Sequence, residues 1–260
     1  MEYDATTTRI FNVPPYTFFS VIGVVFASSC FILLLLKYNF NIQRYTKIFF
    51  YCIPGLLIGA KFFGFLTGLF NAIANKEAIT LQTFINTGIV FYGGLIGFLS
   101  SFLIICKIWN KVIEYRVVDL TVVCIPLFHF FGRLGCFFAG CCYGVENHSV
   151  LSIHYTNRIK DEIVSVSRLP IQLIESVINI FLFIVLLIFL NIEKSKERLL
   201  IIYLFIYSIM RIVLEVFRGD VTRGIWNRIS FSQFISMIII ISMILIIRSL
   251  SKREKKHAIY

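Results

Sequence analysis

Six ionisable side chains sit inside long apolar runs of this chain: Lys61, Asp119, Arg133, Glu175, Arg211 and Glu215. A charge at bilayer depth is costly, so each is a functional candidate until a plain partner is found. Glu215 follows Arg211 by four residues, the spacing of a helical ion pair. Asp119, Glu175 and Glu215 read first as structural counter-charges to arginines. Arg133 stands apart because of its setting, Gly132-Arg133-Leu134-Gly135-Cys136-Phe137-Phe138-Ala139-Gly140-Cys141-Cys142-Tyr143-Gly144. Small residues let helices approach closely and let backbone come near a ligand. A planar guanidinium in such a notch suits bidentate binding of a phosphate. His129 lies one helical turn earlier on the same face, where a core histidine and a proton carrier are both open readings.

Other groups fall at a similar depth. Phe91-Tyr92-Gly93-Gly94-Leu95-Ile96-Gly97 is a helix-packing stripe by spacing, with a tyrosine at its start. After the sixth apolar run come Arg218, Arg223 and Arg228, together with Gly224 and Trp226. Trp226 has a sufficient reading as an interfacial anchor. Tyr92, Arg133 and Arg218 converge on one depth from different spans, which composes a site for an anionic lipid headgroup or a similar group.

The elements that position these residues follow from composition. The 260 residues are 58% hydrophobic and 15% charged, with a mean hydropathy of +0.85. Soluble domains average roughly 45–50% apolar and about 25% charged, so a soluble enzyme, a disordered chain and a disulfide scaffold are excluded. Spanning the hydrocarbon takes about 20 apolar residues. Seven such runs lie at residues 17–36, 48–70, 88–106, 120–138, 171–192, 199–217 and 229–247. Only helices or closed barrels cross a bilayer, and no ten-residue alternation marks a barrel. The fold class is therefore an all-α polytopic membrane protein of seven transmembrane helices, one domain over residues 1–250. Residues 251–260 read as a basic, mobile cytoplasmic tail, and the alternation around 151–155 suggests a small β-hairpin within the connection 145–168.

The net charge of +11 is a topology signal. Lys37, Arg44 and Lys47; Lys107, Lys111 and Arg116; Lys194, Lys196 and Arg198; and Arg248, Lys252, Arg253, Lys255 and Lys256 occupy alternate connections. The positive-inside rule places these in the cytoplasm and the N-terminus outside, as an odd number of spans requires. Nucleic acid drops out as a partner. The first run has few preceding cations and no small-residue cleavage site, so it is expected to be a retained span. Cys30, Cys52, Cys106 and Cys124 lie inside spans and read as small hydrophobes. Cys136, Cys141 and Cys142 cluster without a CxxC pair or acidic neighbours, which argues against a metal.

These motifs resemble the prolipoprotein diacylglyceryl transferases of bacterial inner membranes. The family signature G-R-x-G-N-F-x-N-x-E-x-x-G is similar to Gly132 through Gly144, matching its glycines, arginine and phenylalanine. Asp119 and Pro126, which precede it, also fit. H-G-G-L-I-G resembles Tyr92 through Gly97, and H-P-x-Q-L-Y-E resembles Leu169-Pro170-Ile171-Gln172-Leu173-Ile174-Glu175. R-x-x-x-E-F-x-R resembles Arg211 through Arg218, with Gly224-Ile225-Trp226 and Ser230 through Ser236 following in family order. Tyr16 is similar to an N-terminal tyrosine of the family. The departures are Tyr92 for histidine, Cys136 and Ala139 for asparagines, Cys141 for glutamate and Lys61 for arginine.

The resemblance implies transfer of the diacylglyceryl group from phosphatidylglycerol to the lipobox cysteine of a prolipoprotein. The products would be a thioether and glycerol phosphate, made by a monomer in the bacterial plasma (inner) membrane. It implies Arg133 and Arg218 for headgroup and leaving phosphate, and Tyr92 or His129 for proton acceptance. Substrate contacts would come from Tyr16, Gly93, Gly94, Gly144, Gln172 and Arg211. It calls for no cofactor and no metal, and for Cys136, Cys141 and Cys142 not to be nucleophiles, since the thiol comes from the substrate. A non-catalytic relative that binds or moves anionic lipids is the alternative; a transporter is weaker, because no inverted repeat is visible.

Overall fold

A computed structural model describes residues 2–4, 10–75, 90–110, 114–159, 162–192, 198–220, 225–226 and 229–257. Among the described residues seven helices form the body: α1 (Pro15–Lys37), α2 (Ile42–Asn75), α3 (Phe91–Asn110), α4 (Tyr115–Phe138), α5 (Ile171–Phe189), α6 (Leu199–Val216) and α7 (Phe231–His257). All seven are long and apolar enough to cross a membrane. Each expected span falls on one helix, with shifted ends. α2 starts at Ile42 because Gln43, Arg44 and Thr46 continue a helix that a hydropathy reading does not see. α7 continues to His257, so residues 251–257, expected as a mobile tail, extend the last helix; Lys, Arg and Glu are good helix formers and no glycine or proline interrupts them.

Local chemistry sets several helix ends. Pro15 opens α1 at the first helical position, where its missing N–H costs nothing. Pro54 and Pro126 lie inside α2 and α4, which neighbouring helices make tolerable in a membrane bundle. Asp119 of α4 accepts the Leu199 amide at 3.1 Å and so caps α6 from outside, supplying what the Arg198 side chain does not. Arg116 donates to the Leu190 carbonyl at 2.6 Å, closing the end of α5. Asp119 is thus a cap, 4.0 Å from Arg116 of its own helix.

The main helix contacts pair α2 with α3, α1 with α4, α4 with α5 and α6 with α7. α4 is central: 61% of its most apolar window is buried, against 17% for α7. Val21, Val24, Phe50, Leu57, Ile241 and Leu245 are among many exposed apolar side chains, the surface a lipid-facing bundle needs. Within the bundle, α2 and α3 touch backbone to backbone. A Cβ on Gly93 would overlap the Gly59 carbonyl, and one on Gly97 the Gly55 carbonyl.

One end of the bundle carries the remaining structure. The connection between α4 and α5 forms β2 (Ile153–Ile159) and β3 (Glu162–Arg168), antiparallel with Ile153 opposite Arg168. β1 (Glu2–Asp4) adds in parallel to β2, Glu2 opposite His154. β4 (Ile225–Trp226) and β5 (Ile229–Ser230) make a short ladder before α7. Arg223, Gly224 and Arg228 lie outside the described residues.

Candidate active site

At the sheet-bearing end, α4, α5 and α6 meet around charge. Glu175 of α5 is 1% exposed and forms the hub. Its Oε1 lies 2.8 Å from Arg133 Nη2 and 3.7 Å from His129 Nε2, and its Oε2 lies 3.5 Å from Arg211 Nη1. Arg211 turns its other nitrogen to Glu215 at 2.8 Å, one helical turn away. Arg218 reaches the same Glu215 oxygen at 3.7 Å and clasps Asp220 with two bonds of 2.8 and 2.6 Å. Three arginines therefore alternate with three carboxylates. A buried charge is tolerable when paired and bonded on all sides, and loss of one partner strands the next.

Each arginine is held in a set orientation. Arg133 Nε donates to His129 Nε2 at 3.2 Å, so that nitrogen carries a lone pair and the imidazole is neutral with its proton on Nδ1. The His129 ring stacks on Phe91 with centroids 3.8 Å apart and packs against Tyr207. Arg218 follows the end of α6 and pairs by a β-bridge with Gly144. Burial opposes its charge, yet the Asp220 bonds and the nearby Cys142, Asp220 and Glu215 charges hold its pKa above the ordinary arginine range.

Gly144 is fixed by space. Its amide donates to the Leu169 carbonyl at 2.9 Å, and a Cβ there would stand 2.6 Å from that oxygen. The neighbouring Val145 and Gly219 amides lace this strand to Phe217 and Tyr143. Gln172, fully buried, donates to the Cys141 carbonyl at 2.6 Å and accepts from the Tyr155 hydroxyl of β2 at 3.3 Å. Gln172 and Gly144 thus fix the turn beside the arginines and tie it to the sheet.

α4 ends in a glycine-closed turn. Gly140 has φ 65°; its amide returns to the Phe137 carbonyl at 3.0 Å, and the Cys141 amide to Cys136 at 3.1 Å. This is a Schellman closure, which brings the third residue from the helix end against the second residue beyond the cap. Those residues are Cys136 and Cys141, and Cys142 follows with φ 59°. The three Sγ atoms lie within 4.8 Å of one another. Hydrogen bonding with the other two thiols and then the charges of Arg133 and Arg218 lower the Cys142 pKa, while hydrogen bonding with Cys136 and Cys142 and then burial raise that of Cys141.

Tyr92 of α3 is buried, its hydroxyl 2.6 Å from Ser236 Oγ of α7 and its ring edge-on to Tyr207 at 5.3 Å. Ser236 gives its own proton to the Ser232 carbonyl at 2.8 Å, which makes Tyr92 the donor of the pair. Tyr16, partly exposed at the start of α1, is an electrostatic neighbour of Arg133 and of the cysteine turn.

The sequence-expected residues thus divide. His129, Arg133, Arg211 and Arg218 share one charged chain, Gly144 and Gln172 support it, and Tyr16 and Tyr92 flank it. Gly93 and Gly94 instead fit α3 onto α2, Gly93 against Gly59 and Gly94 beside Ala60 and Leu56. The sequence reading undervalued Glu175, which binds arginines from two other helices, gave Ser236 no role although it closes the Ser230–Ser236 motif, and missed Asp220 and Asn179. Asp220 had a local signal, a carboxylate two residues after Arg218. Asn179 donates to the Glu175 carbonyl one turn back on α5 and had none.

The model of the prolipoprotein diacylglyceryl transferase family matches residues 5–248. The phosphatidylglycerol–prolipoprotein diacylglyceryl transferase of Clostridium tetani is 31% identical over 205 residues, covering 79% of this chain and 80% of that protein. Two Clostridium perfringens proteins of that name, numbered 2 and 1, are 30% and 29% identical. They cover 89% and 95% of this chain and 88% and 94% of their own lengths. With seven helices able to cross a membrane and buried arginines at the family's signature positions, the chain belongs to the prolipoprotein diacylglyceryl transferase family.

Proposed function

We propose that this protein transfers the diacylglyceryl group of phosphatidylglycerol to the lipobox cysteine thiol of a prolipoprotein signal peptide, acting as a monomer whose sheet-bearing end faces outward. The observation that carries the reading is the buried arginine–carboxylate chain from Arg133 to Asp220. Lysines and arginines crowd the connections at the opposite end, which supports the orientation. The donor is a lipid and the acceptor a membrane-embedded segment, so both enter laterally between helices.

Arg133 and Arg218 receive the headgroup and the leaving phosphate, with Arg211 holding Glu175 and Glu215 in place between them. A phosphate monoester leaves readily only where fixed cationic donors meet its growing charge in a dry site. His129 takes the thiol proton, because its Nε2 carries a lone pair aimed at the arginine that receives phosphate. Phosphate arriving at Arg133 competes for that guanidinium and frees the lone pair. Tyr92 holds α3 to α7 and keeps Tyr207 against the imidazole. Tyr16 and the turn at Gly144 border the acceptor, and Gln172 fixes that turn.

The test supplies protein in detergent with phosphatidylglycerol and a lipobox peptide, and follows the added diacylglyceryl mass. Product from the wild type, reduced about 10²–10³-fold in Arg133→Ala, is the expected outcome. Near-normal thioether formation by that variant would overturn the assignment. Phosphatidylglycerol binding without any product would favour the non-catalytic relative, which the departures at Tyr92, Cys136, Ala139 and Cys141 leave as the second reading.

A further inference from the structure

The cysteine turn has a chemistry of its own. By sequence alone the absence of a CxxC pair and of acidic neighbours argues against a metal. The Schellman closure removes that objection by folding the second cysteine back over the first, with Cys142 beside them. A tetrahedral zinc site with ~2.3 Å Zn–S bonds needs sulfurs roughly 3.8 Å apart, so sulfurs already within 4.8 Å need only a small contraction. The set is all sulfur, which selects thiophilic ions over magnesium or calcium. Gln172 holds the Cys141 carbonyl and so restrains the turn. Three thiolates around a divalent ion leave one net negative charge, and the Arg133 and Arg218 guanidiniums act electrostatically on this cluster to offset it.

We infer that Cys136, Cys141 and Cys142 bind one zinc-class divalent ion, with a fourth position open to the acceptor's thiol. Three protein ligands with one open position is the pattern of a catalytic rather than a structural zinc site. The burial grades outward from buried Cys136 through half-buried Cys142 to exposed Cys141, so the open position is reached from the sheet-bearing end. The acceptor's role rests on the diacylglyceryl-transfer reading above. A coordinated thiol is deprotonated outright, and because His129 lies two helical turns before Cys136 on α4, the thiol's proton reaches that imidazole through water. The sulfur pair then forms the C–S bond to the glyceryl carbon while the C–O bond to phosphate breaks. The leaving pair stays on the phosphate oxygen of glycerol phosphate, facing Arg133 and Arg218. The neutral thioether is a weaker ligand and departs. No oxidant or reductant is involved, and the three cysteines act as ligands, not nucleophiles.

Cobalt(II) titration of the reduced full-length protein under anaerobic conditions tests this. One ion per chain with sulfur-to-cobalt charge-transfer absorbance is expected, lost or displaced in Cys136→Ser and in Cys141→Ser, whose exposed side chain leaves folding intact. A lipobox peptide should shift the cobalt d–d bands, and its Cys→Ser counterpart should not. Metal stripping should lower thioether formation at least tenfold, with zinc restoring it. Absence of cobalt binding overturns the site, and a bound ion blind to the peptide thiol overturns its role toward the acceptor. Full thioether formation by stripped, cobalt-silent protein sinks the ion while the transferase reading stands. Peptide-sensitive cobalt without any thioether does the reverse.

Discussion

Gly55, Gly59, Gly93 and Gly97 bring α2 and α3 into backbone contact, whereas Arg133, Glu175 and Arg211 hold α4, α5 and α6 together through long charged side chains. Lipid tails are as apolar as leucine, so neither junction is driven by removing apolar surface from water. The first works by having no side chains, which maximises van der Waals contact. The second works by making each charge dependent on the next. Damage should differ accordingly. The glycine seam should respond to added volume and be indifferent to charge. The ionic junction should tolerate conservative changes of shape and fail when a partner is removed.

Glu175→Leu attacks the ionic junction at its hub and should have the largest effect. It leaves the buried Arg133 and Arg211 without their shared carboxylate, a loss of about 3–5 kcal/mol for breaking a buried pair. Thermal unfolding in detergent should show it, with diacylglyceryl transfer abolished. A melting temperature within a degree of wild type would mean that Glu215 and Asp220 hold the arginines alone, and that the hub is misassigned.

Gly93→Val puts the converse question to the other seam. The new Cβ meets the Gly59 carbonyl and stands 2.6 Å from Phe63 Cβ, so α2 and α3 must separate. Overpacking costs about 1–3 kcal/mol, again read by thermal unfolding. Activity per folded molecule should stay within about threefold, since the carboxylate chain lies on other helices. Loss of turnover without loss of stability would instead return Gly93 to the substrate site, where the family resemblance placed it.

The same comparison shows what sequence can carry. The seven spans were legible because a bilayer demands about 20 apolar residues whatever their neighbours. The glycine stripe was legible as packing, since Gly93 and Gly97 repeat at helical spacing on one element. The ionic junction was legible only as a set of misplaced charges. Glu175 lies 42 residues after Arg133 and 36 before Arg211, and nothing local reveals that one carboxylate serves both. Asp119 reads as a counter-charge to an arginine and does pair with Arg116; that it also caps α6 was hidden, because an amide donor 80 residues away leaves no trace in composition. The proximity of the three cysteines was not legible for a different reason: the backbone reversal at Gly140 that gathers them leaves no mark in their spacing.

Tyr92→Phe should have the smallest effect and draws the boundary between the two junctions most finely. Tyr92 sits on α3, next to Gly93 of the seam, yet its hydroxyl points to Ser236 and its ring to Tyr207 beside His129. Removing the hydroxyl deletes one hydrogen bond, worth about 0.5–1.5 kcal/mol. Ser236 keeps its bond to the Ser232 carbonyl, so its own donor is not stranded. If His129 accepts the proton, turnover should fall by less than about tenfold, while His129→Gln should lower it by about 10²–10⁴, the usual share of a general base. The opposite ranking of the two variants would move proton acceptance to the tyrosine that stands where the family keeps a histidine, and would make the start of α3 part of the charged junction.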